Sequence, residues 1–289
     1  MALRPRPKPL GAARRPLAAR RRTGRRRLLF LTGGTGYLGR HIGRGLEAET
    51  WSVVAPPSTS LDLRHRESTF HAVKDWKPTA IIHTAYRRDD HAATIDTARY
   101  VAEAAMWCGA RLVHVSTDLV FKGRPTPYTE ADDPTPIEDY GRAKAEAERI
   151  VATLCTDALI VRTSLLYGRG PEPSPHEVAV RAVIEGRSNI GFFTDEVRCP
   201  ALVEDVAAAL TQLAGTPELT GVLHLAGPDA LSRADLARMT ARRHGWDTSR
   251  LRLSTIVESG LDRPGHVVLD SSLARSQGFG VRGPTSWFD

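Results

Sequence analysis

The chain has 289 residues, 41% of them hydrophobic and 25% charged, an ordinary balance for a folded globular protein with an ample core. Its net charge of +7 is unevenly spread: eleven of the 40 basic residues and no acid fall within 1–27, leaving 29 bases against 33 acids, a formal −4, for the remainder. Three cysteines without Cys-x-x-Cys spacing, histidines without His-Glu-x-x-His spacing and no apolar run near the ~18 residues of a membrane helix exclude a disulfide framework, a zinc motif and a spanning segment, and point to a reducing, cytoplasmic setting.

Residues 1–27, rich in Arg and Pro, cannot bury apolar surface and read as a disordered basic tail. A nucleic-acid arm, a transit peptide, an export signal and a dispensable segment are the available readings. Export fails because the apolar run 28–31 is short and enters a glycine loop directly, and nucleic acid is not the expected partner.

That run, Leu28-Leu29-Phe30-Leu31, reads as a buried strand. Thr32-Gly33-Gly34-Thr35-Gly36-Tyr37-Leu38-Gly39 follows it, with a helix starting near Tyr37. Glycines at 33, 36 and 39 permit a tight turn and close helix–strand packing, and the free N–H groups of a helix start favour a pyrophosphate. We read the segment as a dinucleotide cradle, with Gly33, Thr35, Gly36, Tyr37, Leu38 and Gly39 as its contacts.

Strand signals recur at 51–55, 80–84, 111–115 and 159–162, alternating with helical patterns at 41–48, 67–76, 92–107 and 138–154. This predicts an α/β fold, a Rossmann-type doubly wound parallel sheet. After Gly168 shorter helices at 177–185, 203–214 and 233–244 mix with brief strands such as 222–226. The expected organisation is a cofactor-binding core over 28–167 and a smaller C-terminal substrate lobe over 168–289, with some C-terminal segments returning to the core and substrate in the cleft above the strand ends. His83 and His114 lie in strand-like runs and read as satisfied core histidines.

Cofactor choice is partly legible. An NAD-binding fold usually carries an acid at the end of its second strand. Here the segment is Val53-Val54-Ala55-Pro56-Pro57-Ser58-Thr59. Ser58, Thr59 and Arg64 suit a 2′-phosphate, which favours NADPH and leaves NADH open. Asp62 is placed to meet the adenine edge or to cap the next helix, and Thr84, which ends the run 80–84, and Ala85 after it complete the cofactor side.

The second constellation spans Ser116 to Lys144. A strand delivers Ser116-Thr117-Asp118, and a turn-rich loop leads to Tyr140 and Lys144 on one helical face. A neighbouring ammonium favours the phenolate, making the tyrosine a usable acid or base. Six tyrosines and five lysines in 289 positions give about 0.1 such pair by chance.

Together the glycine motif and Tyr140-x-x-x-Lys144 resemble the extended short-chain dehydrogenase/reductases. The run Ser116-Thr117-Asp118-Leu119-Val120-Phe121-Lys122-Gly123, then Pro127-Tyr128-Thr129-Glu130 and Pro134-x-Pro136, is similar to the dTDP-4-dehydrorhamnose reductase branch. So are Arg162-Thr163-Ser164-Leu165-Leu166-Tyr167-Gly168, Asp195-Glu196 with Pro200, and Arg263-Pro264. The resemblance implies hydride transfer from a nicotinamide to a keto carbon of a nucleotide-linked deoxysugar. Tyr140 would protonate the alkoxide, Lys144 would hold the nicotinamide ribose, and Thr117 would hydrogen-bond the reacting oxygen. Arg198 and Arg263 become candidate substrate contacts, for a diphosphate or carboxylate.

The sequence departs from the branch at Leu119, where tyrosine is common; near Thr94, where an asparagine is common; and in Asp195-Glu196-Val197-Arg198-Cys199-Pro200-Ala201. Leu119 argues against a dehydratase, which needs an acid there. An epimerase stays open, as does a redox-silent NADP-binding regulatory subunit, because the methionine adenosyltransferase regulatory subunit belongs to this branch. A homodimer is also open, and no metal site is expected.

Overall fold

The structure is a computed structural model and describes residues 27–46, 50–87 and 90–287. Except for Arg27, the basic segment 1–27 lies outside the described residues, as does part of the expected helix 41–48.

In chain order the elements of the first half are β1 (Arg27–Thr32), α1 (Tyr37–Gly45), β2 (Trp51–Val54), α2 (Arg66–Trp76), β3 (Ala80–His83), α3 (His91–Cys108), β4 (Arg111–Thr117), α4 (Asp139–Leu154) and β5 (Leu159–Thr163). There follow β6 (Leu166–Tyr167), α5 (Pro175–Ile184), β7 (Phe192–Phe193), β8 (Val197–Arg198), β9 (Ala201–Leu202), α6 (Val203–Ala214), β10 (Gly221–His224), β11 (Leu231–Ser232), α7 (Arg233–Arg243), β12 (Leu253–Ser254), α8 (Ile256–Ser259) and α9 (Ser272–Ser276).

The central sheet has six parallel strands in the order β10-β5-β4-β3-β1-β2. Strand order reverses between β1 and β3, which opens a crevice beyond their carboxyl ends. Period-two alternation divides the strands between two cores. Leu29, Leu31, Ile82, Val113, Val161 and Leu223 meet Ile42 of α1 and Val206, Leu210 and Leu213 of α6 on one face. Phe30, Ile81, Leu112, Ile160 and Val222 meet Val73 of α2, Val101 and Ala105 of α3, and Ala147 and Val151 of α4 on the other. Covered on both faces, the inner strands are almost continuously apolar, as a parallel sheet requires.

The expected strand 222–226 is realised as β10, the sixth strand of this sheet, paired in register with β5 from Gly221–Leu159 to His224–Arg162. The remaining C-terminal elements build a lobe with its own core, in which Val180, Val183 and Ile184 of α5 pack with Phe192 and with Ala234, Ala237 and Ala241 of α7. A Ser174–Glu177 capping box with Pro175 in the first turn starts α5, satisfying N–H groups that the helix cannot. Among the described residues no helix is long and apolar enough to cross a membrane.

Candidate active site

Every candidate site residue named from the sequence lines one cleft of about 1280 Å³, between the carboxyl ends of β1, β3 and β4 and the C-terminal lobe. That is larger than a typical single-ligand pocket and leaves space beside a dinucleotide.

The glycine loop forms the wall after β1. Gly33 has φ of +70°, and a Cβ there would lie 2.6 Å from Thr84 Oγ1 and 2.8 Å from the Ala85 nitrogen. Gly39 sits so close to the Gly33 carbonyl that no side chain fits between α1 and the loop. Gly36, the N-cap of α1, offers no capping side chain, and the first turn carries no acid, so the helix start suits an anion. Thr84 donates from its Oγ1 to the Thr32 carbonyl at 2.7 Å, tying β3 to the loop. These features fit a dinucleotide pyrophosphate. Tyr37 also lines this wall. Its ring packs edge-on against His41 at 4.9 Å, and burial, helped by Glu177, Glu204 and Glu172, pushes its phenol well above the ordinary value.

At the adenosine end Ser58 and Thr59 are exposed to the cleft. Asp62 neither caps α2 nor stands alone: it accepts the Arg64 backbone N–H at 3.0 Å and pairs with the Arg64 guanidinium at 2.6 Å. The Arg64 bonds draw Asp62 down to about 2. His65 takes the N-cap position of α2 without a side-chain cap bond. A 2′-phosphate would therefore have to compete with Asp62 for Arg64.

Thr117 ends β4, where its Oγ1 accepts the Leu119 N–H at 3.2 Å. Tyr140, the second residue of α4, lies beside the Tyr86 ring at a centroid distance of 5.5 Å. Lys144, one turn on, is only 4% exposed, and its Nζ donates to the Val115 carbonyl at 2.7 Å and lies 3.3 Å from His114 Nε2. Burial brings its ammonium down to about 8, against a smaller upward pull from Glu148. His114 stacks on His83 at 5.2 Å, and His83 Nδ1 meets Thr32 Oγ1 at 2.7 Å. Burial and the Lys144 charge keep both imidazoles neutral, His83 near 3 and His114 well below its usual range. The two histidines are in the core as expected, yet each leaves one ring nitrogen without a partner. Thr94 does not reach this group: it bonds the backbone N–H and carbonyl of Arg87 at 3.0 and 2.9 Å.

The two candidate substrate arginines both line the cleft and are both engaged within the protein. Arg198 is 1% exposed and donates to three backbone carbonyls, Val197 at 2.8 Å, Gly265 at 3.1 Å and Pro264 at 2.7 Å. It also lies 3.4 Å from Glu196 and 3.8 Å from Asp118. Its terminal guanidinium nitrogens are engaged by these backbone carbonyls. Arg263 forks onto Glu196 at 2.9 and 3.0 Å and reaches Glu138, at the start of α4, at 3.5 Å. Burial alone would raise the Glu196 carboxyl, but Arg263, Arg198 and Arg233 outweigh it and hold it below the ordinary range. Cys199 is buried, its thiol pushed up to about 11 by burial, which leaves no activated nucleophile.

Sequence reasoning missed Arg233 and His176, which also face the cleft. Arg233 opens α7 within a run that reads as a solvated helix start, and His176 follows a proline; neither carries a motif. The glycine cradle and the Thr117, Tyr140 and Lys144 group share one cleft over a doubly wound sheet. Fold and site together define an NAD(P)-dependent oxidoreductase of the extended short-chain dehydrogenase type.

Comparison with known proteins gives the family. The chain belongs to the RmlD substrate binding domain family, whose model matches residues 26–287. It is 30% identical over 263 residues to a dTDP-4-dehydrorhamnose reductase of Mycolicibacterium smegmatis, covering 86% of this chain and 80% of that one. It is equally 30% identical over 284 residues to methionine adenosyltransferase 2 subunit beta of Rattus norvegicus, covering 89% and 84%. Among solved structures, dTDP-4-dehydrorhamnose reductase from Bacillus anthracis in complex with NADP superposes with a TM-score of 0.82 at 26% identity, covering 91% of this chain and 97% of that one.

Proposed function

We propose that the chain reduces a keto group on a nucleotide-linked deoxysugar, with NADPH as the preferred reductant. The cofactor would be held by the glycine loop, Ser58, Thr84 and Ala85. The carrying observation is that Thr117, Tyr140 and Lys144 open onto the same cleft as that loop. A dinucleotide bound there would supply a hydride to the keto carbon. Tyr140 gives its phenolic proton to the oxygen, so that C=O becomes CH–OH, and Thr117 hydrogen-bonds that oxygen. Lys144 favours the phenolate left behind. Residues 28–167 carry the cofactor, and 168–289 supply most of the substrate wall while returning β10 to the sheet. The relatives named dTDP-4-dehydrorhamnose reductase support this substrate class.

The test follows NADPH absorbance against a panel of nucleotide-linked 4-keto-6-deoxysugars. Oxidation with one of them, reduced by about 10²–10⁴ in Tyr140→Phe while NADPH still binds, is the expected result. Near wild-type turnover in that variant would refute the role of Tyr140.

A second reading, a regulatory subunit that binds the dinucleotide without turning it over, is favoured by the similarity to methionine adenosyltransferase 2 subunit beta. Tight NADP binding with no turnover on the whole panel, together with co-purification of a larger enzyme, would select it.

A further inference from the structure

Thr117 has a single hydroxyl proton, and the proposed reaction needs it at the keto oxygen. Its Oγ1 accepts the Leu119 N–H at 3.2 Å and lies 3.2 Å from Asp118 Oδ1. Beside a carboxylate, which only accepts, the threonine proton must turn to Asp118 and away from the cleft. Beside a carboxyl that keeps its own proton, the same contact runs the other way. The Asp118 O–H then fills the second lone pair of Thr117 Oγ1, and the threonine proton is released.

The surroundings of Asp118 favour the second arrangement. The residue is 4% exposed, opens the short 3-10 turn Asp118–Val120 after β4 and lines the cleft. Its Oδ2 accepts the Ser164 hydroxyl at 2.6 Å, and Ser164 Oγ in turn accepts the Cys199 N–H at 3.3 Å. Of the charged groups that face it, Arg198 on β8 stands 3.8 Å away, beyond hydrogen-bond reach. Arg198 instead donates to three carbonyls, and Arg263, beyond α8, forks onto Glu196. Glu196, just ahead of β8, and Arg233, at the start of α7, complete the set, and Glu196 acts on Arg233 more strongly than Asp118 does. The neighbouring Cys199 thiol, pushed up to about 11, stays neutral. Burial outweighs Arg198 and the two hydroxyls and moves the Asp118 carboxyl above its ordinary range.

We propose that Asp118 is a positioning residue for Thr117: carrying its proton, it donates to Thr117 Oγ1 and turns the threonine hydroxyl towards the reacting oxygen. The assignment rests on the reductase reading above. Asp118 gives up no proton in the cycle. Tyr140 supplies the one that ends on the substrate, and Thr117 donates only a hydrogen bond, which strengthens as charge gathers on the oxygen. Rising pH removes the Asp118 proton, turns Thr117 inward and withdraws that bond.

Two measurements on the full chain test this. The first needs no turnover: carbon-13 NMR of protein labelled at the aspartate carboxyls, with Asp118→Asn assigning the signal. Asp118 should titrate well above the ~3.9 of a free aspartate, and titration at or below that value overturns the proposal. The second is the pH profile of kcat/KM for keto-sugar reduction. Wild type should fall in two steps as pH rises, the lower from Asp118 and the upper from Lys144 at about 8. Asp118→Leu should lose about tenfold to hundredfold in kcat with KM little changed. Asp118→Asn offers a permanent N–H donor to Thr117 and a carbonyl to Ser164, so it should rescue most of that loss and abolish the lower step. Ser164→Ala removes a hydroxyl that favours the carboxylate, so the lower step should move up.

An Asp118→Asn variant as impaired as Asp118→Leu overturns the positioning role, and so does one step common to wild type and Asp118→Asn. Should Asp118→Leu fail to fold, Asp118→Asn and Ser164→Ala carry the test. The two readings fail separately. An Asp118 that titrates high in a chain that turns over no keto sugar keeps the donor bond to Thr117 and sinks the reductase. Turnover with an Asp118 that titrates low does the reverse.

Discussion

Lys144 points its ammonium into the sheet, 3.3 Å from the Nε2 of His114 on β4. The imidazole is neutral at that position, so it can accept the bond and aim the lysine without repelling it. The groups that face Lys144 are His114 on β4, His83 behind it on β3, and Glu148 on its own helix. Because the free-enzyme ammonium titrates at about 8, kcat/KM should fall as pH rises through that value, the charge that supports the phenolate being lost. In His114→Leu the ammonium loses an acceptor in an apolar setting, and the limb should move down by about one pH unit. A limb that stays in place would remove His114 from the catalytic group.

Buried neutral histidines also make the fold acid-sensitive. His83, His176 and His224 titrate near 3 in the folded chain, each chiefly through burial, against about 6.5 unfolded. Between those values the unfolded chain binds more protons. The stability they contribute is therefore present above about pH 6.5 and is lost as pH falls towards 3, at up to ~1.4 kcal/mol per pH unit for each histidine. Tm measured from pH 7 to pH 4 should drop steeply, and His224→Phe should flatten the slope. A flat profile would contradict the burial of neutral rings.

Gly39→Ala tests the cradle. A methyl there has no room against the Gly33 carbonyl, so α1 must lift from the loop at a cost of about 1–3 kcal/mol. NADPH affinity should fall with Tm. Retention of full affinity would show that the first turn of α1 does not hold the pyrophosphate.

Arg198→Met separates strut from substrate contact. Three carbonyls lose their donor and Asp118 and Glu196 lose a buried cation, which should cost about 3–5 kcal/mol. Tm should fall by many degrees while KM of the surviving folded enzyme changes little. The opposite pattern, stable protein with raised KM, would return Arg198 to the substrate.

What was legible in the sequence was local. The glycines at 33, 36 and 39, the apolar runs and the Tyr140–Lys144 spacing each report a geometry confined to a few turns of chain. The placement of β10 was not local, because a short apolar run does not announce which strand it will pair with across sixty residues. Arg198 and Arg233 show the same limit in electrostatic form. Both are arginines in polar segments of the lobe, and only the arrival of the 264–265 carbonyls engages the guanidinium of Arg198 internally. Lys144 was legible as a neighbour of Tyr140, whereas its contact with His114 depends on how α4 lies across β4.

The bridge from Glu196 through Arg263 to Glu138 ties the C-terminal lobe to the start of α4. Glu138 stands two residues ahead of Tyr140, so a shift of the lobe's loop is passed on to the start of the helix that bears the proposed proton donor. Grafting the C-terminal lobe of a relative onto this core would import residues 196 and 263 but leave 138 with the host. On the proposed reductase reading, such a chimera should inherit a new pocket and a displaced Tyr140 together, and its turnover should recover only when position 138 is matched to the incoming pair.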